Sequence, residues 1–476
     1  GSIAPRLLAE IAKTPEPDTT LVNLAQVSDT LGGKAALWEL FSANPPSLQL
    51  YVKLCAACPY LAGILTSYPG MIDELMDSLI VQKLSSLEVR VRLLGELLRG
   101  AEDIDPILHS FKNAQHLRVG VRDIVGKDDV RDTHAALSDI AESCVKQITL
   151  IEYEKLVEKY GEPTIGEIAE DDEVDPGYRE RFAGRAGERC EMIVLAMGKL
   201  GGREPNYHSD LDLVFLYEAD GQTVHRKRHR EGSTTNGHFF SELGQRIIKV
   251  IGHLGPFGRL YEVDVRLRPT GRSGLLAMPV EMFRRYFAEG QGQLWERQAL
   301  CKARVIYGGP DATDYAMQAV ATAAFGPEWQ PEQAQEIRNM RLRLEETASP
   351  RNLKRGRGGT VDTEFLVQML QLKHGGKDPT VRVTGTLDAL TALEQAGYLS
   401  ADDAEYFRQS YRFQRSVEAR IRLMNATGRH EFPEDPKELA KLAYLLGTDP
   451  AALEEKAMRT FAENRERFER VFDASG

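Results

Sequence analysis

Residues 197–217 read MGKLGGREPNYHSDLDLVFLY, and two aspartates, Asp210 and Asp212, stand where the chain turns as apolar as Leu213-Val214-Phe215-Leu216-Tyr217. A carboxylate at the edge of a low-dielectric interior costs several kcal/mol unless a cation or hydrogen bonds offset it. The pattern therefore calls for a positive partner. A later stretch, YEVDVRLR, alternates as a strand does. Tyr261, Val263, Val265 and Leu267 fall on one side, and Glu262, Asp264, Arg266 and Arg268 on the other. If the two segments are neighbouring strands, Asp210, Asp212 and Asp264 converge.

Carboxylates are hard oxygen ligands, and Mg²⁺ favours one or two of them together with phosphate oxygens and water. Three converging aspartates can hold two such ions about 4 Å apart, an arrangement suited to in-line displacement at phosphorus. Gly198, Gly201 and Gly202 would let backbone N–H groups approach a phosphate, and Lys199, Ser209, Arg266 and Arg268 are the further candidates to bind it. The expected occupant is a metal-bound nucleoside triphosphate, with Mg²⁺ as the metal. A lone D-x-D is usually a turn cap or an ion-pair partner. Asp103 and Asp105 fit that description, because no Gly-Lys lead-in precedes them and Pro106 follows.

The elements that must carry these residues can be read in outline. Residues 1–163, with Leu and Ala at three-to-four spacing and breaks at Asn44-Pro45-Pro46 and Tyr68-Pro69-Gly70, predict a helical domain. Residues 164–187, polar and acidic, predict a linker or mobile loop. Residues 188–310 alternate strand and helix patterns: EMIVLAM, LDLVFLY and GRLYEVDVRLRP as strands, FFSELGQRIIKVIGHL as a helix, and 218–236 as a polar insertion. Residues 330–476 predict a second helical bundle, with Tyr406, Phe413, Val417, Ile421 and Met424 on one apolar face and Ser400 with Asp403 as an N-terminal cap. The fold class expected is α+β, mostly helical.

The 476 residues carry a net charge of −11, with 28% charged and 42% hydrophobic residues. That balance predicts no general nucleic-acid binding, and no apolar run reaches the roughly 20 residues a membrane span needs. Five scattered cysteines, Cys55 and Cys58 within helix-core sequence, suit a reducing cytoplasm and buried structural thiols. The leading Gly1-Ser2, without an initiator Met, reads as a tag remnant on a piece of a longer protein.

Gly198-Lys199, a spacer and Ser209-Asp210-Leu211-Asp212, followed by a third carboxylate on a later strand, resemble the DNA polymerase β-type nucleotidyltransferase superfamily. The fuller wording is more specific. MGKLGGREPNYHSDLDLVFLYE, GRLYEVDVRLRPTGRSGLL, LWERQALCKARVI and KRGRGGTVDTEFLVQ, in that order, resemble the glutamine synthetase adenylyltransferase (glutamate–ammonia-ligase adenylyltransferase) family, with similarity running to about Arg422. Members carry two catalytic halves, one removing AMP from glutamine synthetase by phosphorolysis and one attaching it. With a single Ser-Asp-Leu-Asp element, this chain resembles one half, and GRLYEVDVRLRP and the helices of residues 21–76 are nearer the C-terminal, adenylylating half. It departs from the family at Pro205–His208, Thr270 and Thr363, none of which removes a carboxylate.

The resemblance implies a polymerase β-like nucleotidyltransferase domain flanked by helical bundles, and AMP transfer from ATP to a tyrosine hydroxyl of glutamine synthetase. Asp210, Asp212 and Asp264 would hold Mg²⁺, with Asp264 also the base for the tyrosine proton. It further implies a P-II signalling protein as regulator of the full-length molecule. Phosphorolytic removal of AMP, and transfer to RNA or a small molecule, are the alternatives. The basic run HRKRHR at 225–230 reads as a solvated loop. Lys302 and Arg304 could reach phosphate or pair with carboxylates, Asp362 and Glu364 open a helix at a domain contact, and His208 is left outside the site.

Overall fold

The segment EMIVLAM becomes strand β2 (Met192–Ala196), every residue of which is buried, and it takes the centre of a five-stranded mixed sheet. The computed structural model describes residues 3–30, 34–68, 70–71, 83–169, 174–225 and 232–475. On one side of β2 lies β3 (Leu211–Tyr217), antiparallel, with Ala196 opposite Leu213 and Met192 opposite Tyr217. On the other lies β7 (Arg304–Tyr307), whose register shifts between Val194 and Leu195. Two short strands share the outer edge of β3, both parallel to it: β5 (Val263–Asp264) beside its start and β6 (Ala277–Pro279) beside its end. A separate pair, β1 (Glu162–Pro163) and β4 (Thr223–Val224), closes the polar insertion.

Continuous apolar strands of this kind need cover on both faces. One cover is the Asn236–Gly252 helix, which buries Phe239, Phe240, Leu243, Ile247 and Ile251, stacks Phe240 on Tyr217 at 5.0 Å, and starts at Thr235, whose hydroxyl accepts from the His238 N–H. Behind it runs the Val130–Tyr160 helix, capped where Asp129 accepts from the Asp132 N–H. From these N-terminal helices one apolar core passes through the sheet and into the C-terminal helices without a break. A second, smaller core gathers Val417, Ile421, Phe432, Leu439, Leu442 and Phe461. Of the apolar face expected on the Ala401–Asn425 helix, Val417 and Ile421 lie in this smaller core, Phe413 and Met424 flank it, and Tyr406 turns instead to the main core. The Ser400 cap forms as its sequence implies, accepting from the Asp403 N–H at 3.2 Å.

Two expectations change. The third strand is two residues long, because the Asp264 carboxylate accepts the Arg266 N–H at 2.8 Å and turns the chain out of the sheet. Within the acidic stretch 164–187, the described residues 164–169 and 174–187 carry structure that their composition does not announce. Thr164 bridges to Arg189, and a Pro176–Phe182 helix, capped by Asp175, anchors itself with the rings of Tyr178 and Phe182. Among the described residues no single helix is long and apolar enough to cross a membrane. All five cysteines are buried, free thiols. Of the 225–230 basic run, all but His225 lies outside the described residues.

Candidate active site at the mouth of the central sheet

The site begins with a register. β3 and β5 run parallel with Asp212 directly beside Asp264, and the Leu211 N–H donates to the Glu262 carbonyl at 2.8 Å. Paired residues on adjacent strands project to one face, so both carboxylates leave the sheet together. Asp210, exposed, precedes them by one turn of the pleat. Burial, then Asp264 and Asp210, push the Asp212 carboxyl up to about 6. Asp212 therefore feels both of the other acids.

Four cations answer them. Arg266 holds Asp264 through its Nε at 2.8 and 2.9 Å and through Nη2, and this pairing first of all keeps the Asp264 carboxyl below the ordinary aspartate range. Arg272 adds its field to Asp264, Lys354 to Asp212 and Arg422 to Asp210. The motifs do not single out Lys354, Arg272 or Arg422. Lys354 did lie within the quoted KRGRGG stretch, whose three glycines were the available signal.

The lead-in turn fits closely against the acids. Gly198 has φ +52°, and a Cβ there would stand 2.3 Å from Asp212 Oδ2. This position requires glycine for both conformation and space. Gly201 and Gly202, expected to offer N–H groups to phosphate, spend them inside the turn on the carbonyls of Met197 and Gly198. Lys199 points away from the carboxylates. Its ammonium lies buried against Glu364, with the Tyr411 hydroxyl at 3.1 Å, and burial pulls it down to about 7. Lys302 joins the same cluster through Glu204 at 2.7 Å and Thr386 at 3.0 Å. Burial resists ionisation of Glu364, but Lys199 and Lys302 outweigh it and hold the carboxyl at about 2.

Arg304 takes the pairing alternative too, on Glu142 at 2.8 Å. Asp362 is wholly buried between Arg341 and Arg465, a domain-packing role. Arg268 is also buried, its guanidinium on the Val265 and Arg272 carbonyls, where it shapes the turn after Asp264. Ser209 Oγ accepts from the Asn206 N–H at 2.9 Å and from Arg422 Nη1 at 3.1 Å. His208, with φ +57°, lays its ring edge-on to Tyr60 at 4.4 Å, and burial first of all lowers it to about 4.

Among the described residues, no three His, Cys, Asp or Glu donors stand as a ready-made metal cage. The donor set nonetheless suits Mg²⁺: hard oxygens only, with Asp212 raised by burial and then by its acidic neighbours, and with Arg266 paired to Asp264 where a cation would bind. A buried antiparallel pair flanked by short parallel strands, with acids at its mouth and basic side chains around them, defines a nucleotidyltransferase-type domain.

A family model described as glutamate-ammonia ligase adenylyltransferase matches residues 48–319, and one described as GlnD PII-uridylyltransferase matches residues 332–475. This chain belongs to the glutamate-ammonia ligase adenylyltransferase family. Its relatives include proteins named bifunctional glutamine synthetase adenylyltransferase/adenylyl-removing enzyme. That of Pseudomonas putida is 30% identical over 93% of this chain and 46% of its own, and that of Pseudomonas aeruginosa 29% identical over 90% and 44%. In Thioalkalivibrio sulfidiphilus the figures are 31%, 86% and 41%. The chain thus spans about half the length of the curated relatives it matches.

Proposed function

We propose that this chain transfers AMP from ATP to a tyrosine hydroxyl of glutamine synthetase, releasing pyrophosphate. The observation that carries the reading is the register of Asp212 with Asp264 at the mouth of a buried sheet, in a chain of this family. The tyrosine oxygen forms its bond to the α-phosphorus while the bond from that phosphorus to the pyrophosphate oxygen breaks. Asp210, Asp212 and Asp264 would hold Mg²⁺, which supplies charge neutralisation at the attacking and leaving oxygens. The protein's share is mostly positioning and electrostatics.

Arg266, exposed and, among the described residues, paired only with Asp264, is the group that can leave that carboxylate for a phosphate. Its departure would restore Asp264 as an acceptor for the tyrosine proton. Lys354 and Arg272 complete a basic rim around the triphosphate. Lys199, by contrast, acts by tying the lead-in turn to the C-terminal helices. The setting is the bacterial cytoplasm, and a P-II signalling protein is the regulator of the longer molecule.

Glutamine synthetase incubated with the chain and Mg-ATP should gain one AMP on a tyrosine per modified subunit by intact mass and peptide mapping. Adenylylated glutamine synthetase with phosphate should yield no ADP. No AMP gain sinks the reading, and ADP release in the second arm assigns the chain to the opposite reaction.

A further inference from the structure

The loop between the lead-in turn and Asp210 is held in an uncommon shape. Arg203 and His208 both have left-handed backbones, φ +55° and +57°. For residues with a Cβ this conformation persists only where the surroundings enforce it. Asp139 pairs with the Arg203 side chain and Lys302 with that of Glu204, while the backbone carbonyls beside both left-handed residues are gripped from one stripe of the Ala401–Asn425 helix. Tyr411, Arg415, Glu418 and Arg422 recur at spacings of four, three and four, which sets them on a single helical face. Arg415 donates to the Glu204 carbonyl, immediately after Arg203. Arg422 donates to the Tyr207 carbonyl at 2.7 Å, immediately before His208, and to Ser209 Oγ at 3.1 Å. Glu418 receives the Asn206 amide at 3.2 Å between them and pairs with both arginines.

We propose that Arg415 and Arg422 are positioning residues for the carboxylate site, their guanidiniums holding the 198–209 loop in the strained shape that delivers Asp210 and Asp212 beside Asp264. The inference rests on the proposed AMP transfer and deepens it. The C-terminal helical part is then a working component of the site, because each arginine grips a carbonyl adjoining a left-handed residue.

The test pairs each arginine with a glycine that removes the strain. Arg415→Lys and Arg422→Lys keep the buried positive charge but lose the planar fork. Each should weaken Mn²⁺ binding, read by electron paramagnetic resonance, and slow AMP transfer by about tenfold, the factor that loop strain of this kind converts to. Adding Arg203→Gly to the first variant and His208→Gly to the second should recover most of both losses, since glycine takes the left-handed conformation freely. Arg412→Gln, exposed on the same helix, should change neither reading. Wild-type values in both lysine variants overturn the inference, as do losses in both that glycine leaves untouched. Should one lysine variant fail to fold, the other pair decides. An unaltered chain that binds Mn²⁺ but transfers no AMP fails the functional reading instead.

Discussion

Asp212 bears the electrostatic cost of the site before any ligand arrives. Its folded value, about 6, lies above the roughly 3.9 of a free aspartate. The native state therefore resists ionising it, and stability is lost as pH rises from about 4 through about 6. Asp212→Asn, which removes the charge, should raise the metal-free melting temperature by a few degrees at about pH 7.5 and leave it unchanged near pH 4. Equal shifts at both pH values would contradict this account. The same variant should lose AMP transfer. The placing of Asp212 beside Asp264 was legible in sequence because a strand's alternation and one apolar run suffice for it. The cations that answer them were less so: Arg422 meets Ser209 across 213 residues, and no local pattern announces such a contact.

At the scale of elements, the lead-in turn and β5 set the geometry. Gly198→Ala would place a methyl 2.3 Å from Asp212 Oδ2 on a left-handed backbone. The expected result is loss of AMP transfer by about a hundredfold, the scale of a 1 Å misplacement, with circular dichroism unchanged. Retained activity would mean that the acid tolerates displacement. Hydrophobic period marked β2, β3 and the Asn236–Gly252 helix but neither β6 nor β7, and the Ser400 cap followed from its capping pattern. The length of β5 did not, because an Asp264 side chain that bonds its own backbone two residues on competes with the ladder. The pairing of Lys199 is hidden from the sequence for a related reason. Its position beside the glycines suggested phosphate, whereas its partner Glu364 lies 165 residues away.

Across the molecule, buried charge pairs bind the catalytic part to the C-terminal helices. Glu364 lies against two lysines, Lys199 and Lys302. Glu364→Gln would strip Lys199 of its carboxylate partner, Lys302 keeping Glu204, and should cost about 3–5 kcal/mol, visible as a lower urea midpoint. An unchanged midpoint would show the cluster to be dispensable. Such pairs knit one core through all three segments, and the five thiols are sealed within it, burial pushing each up to about 12. A chain with every sulfhydryl shut away is a blank slate for chemical tagging. Iodoacetamide or a maleimide dye should leave the native protein unmarked, so that one cysteine introduced on the surface could report the approach of a partner while the native sulfurs stay silent until the molecule opens.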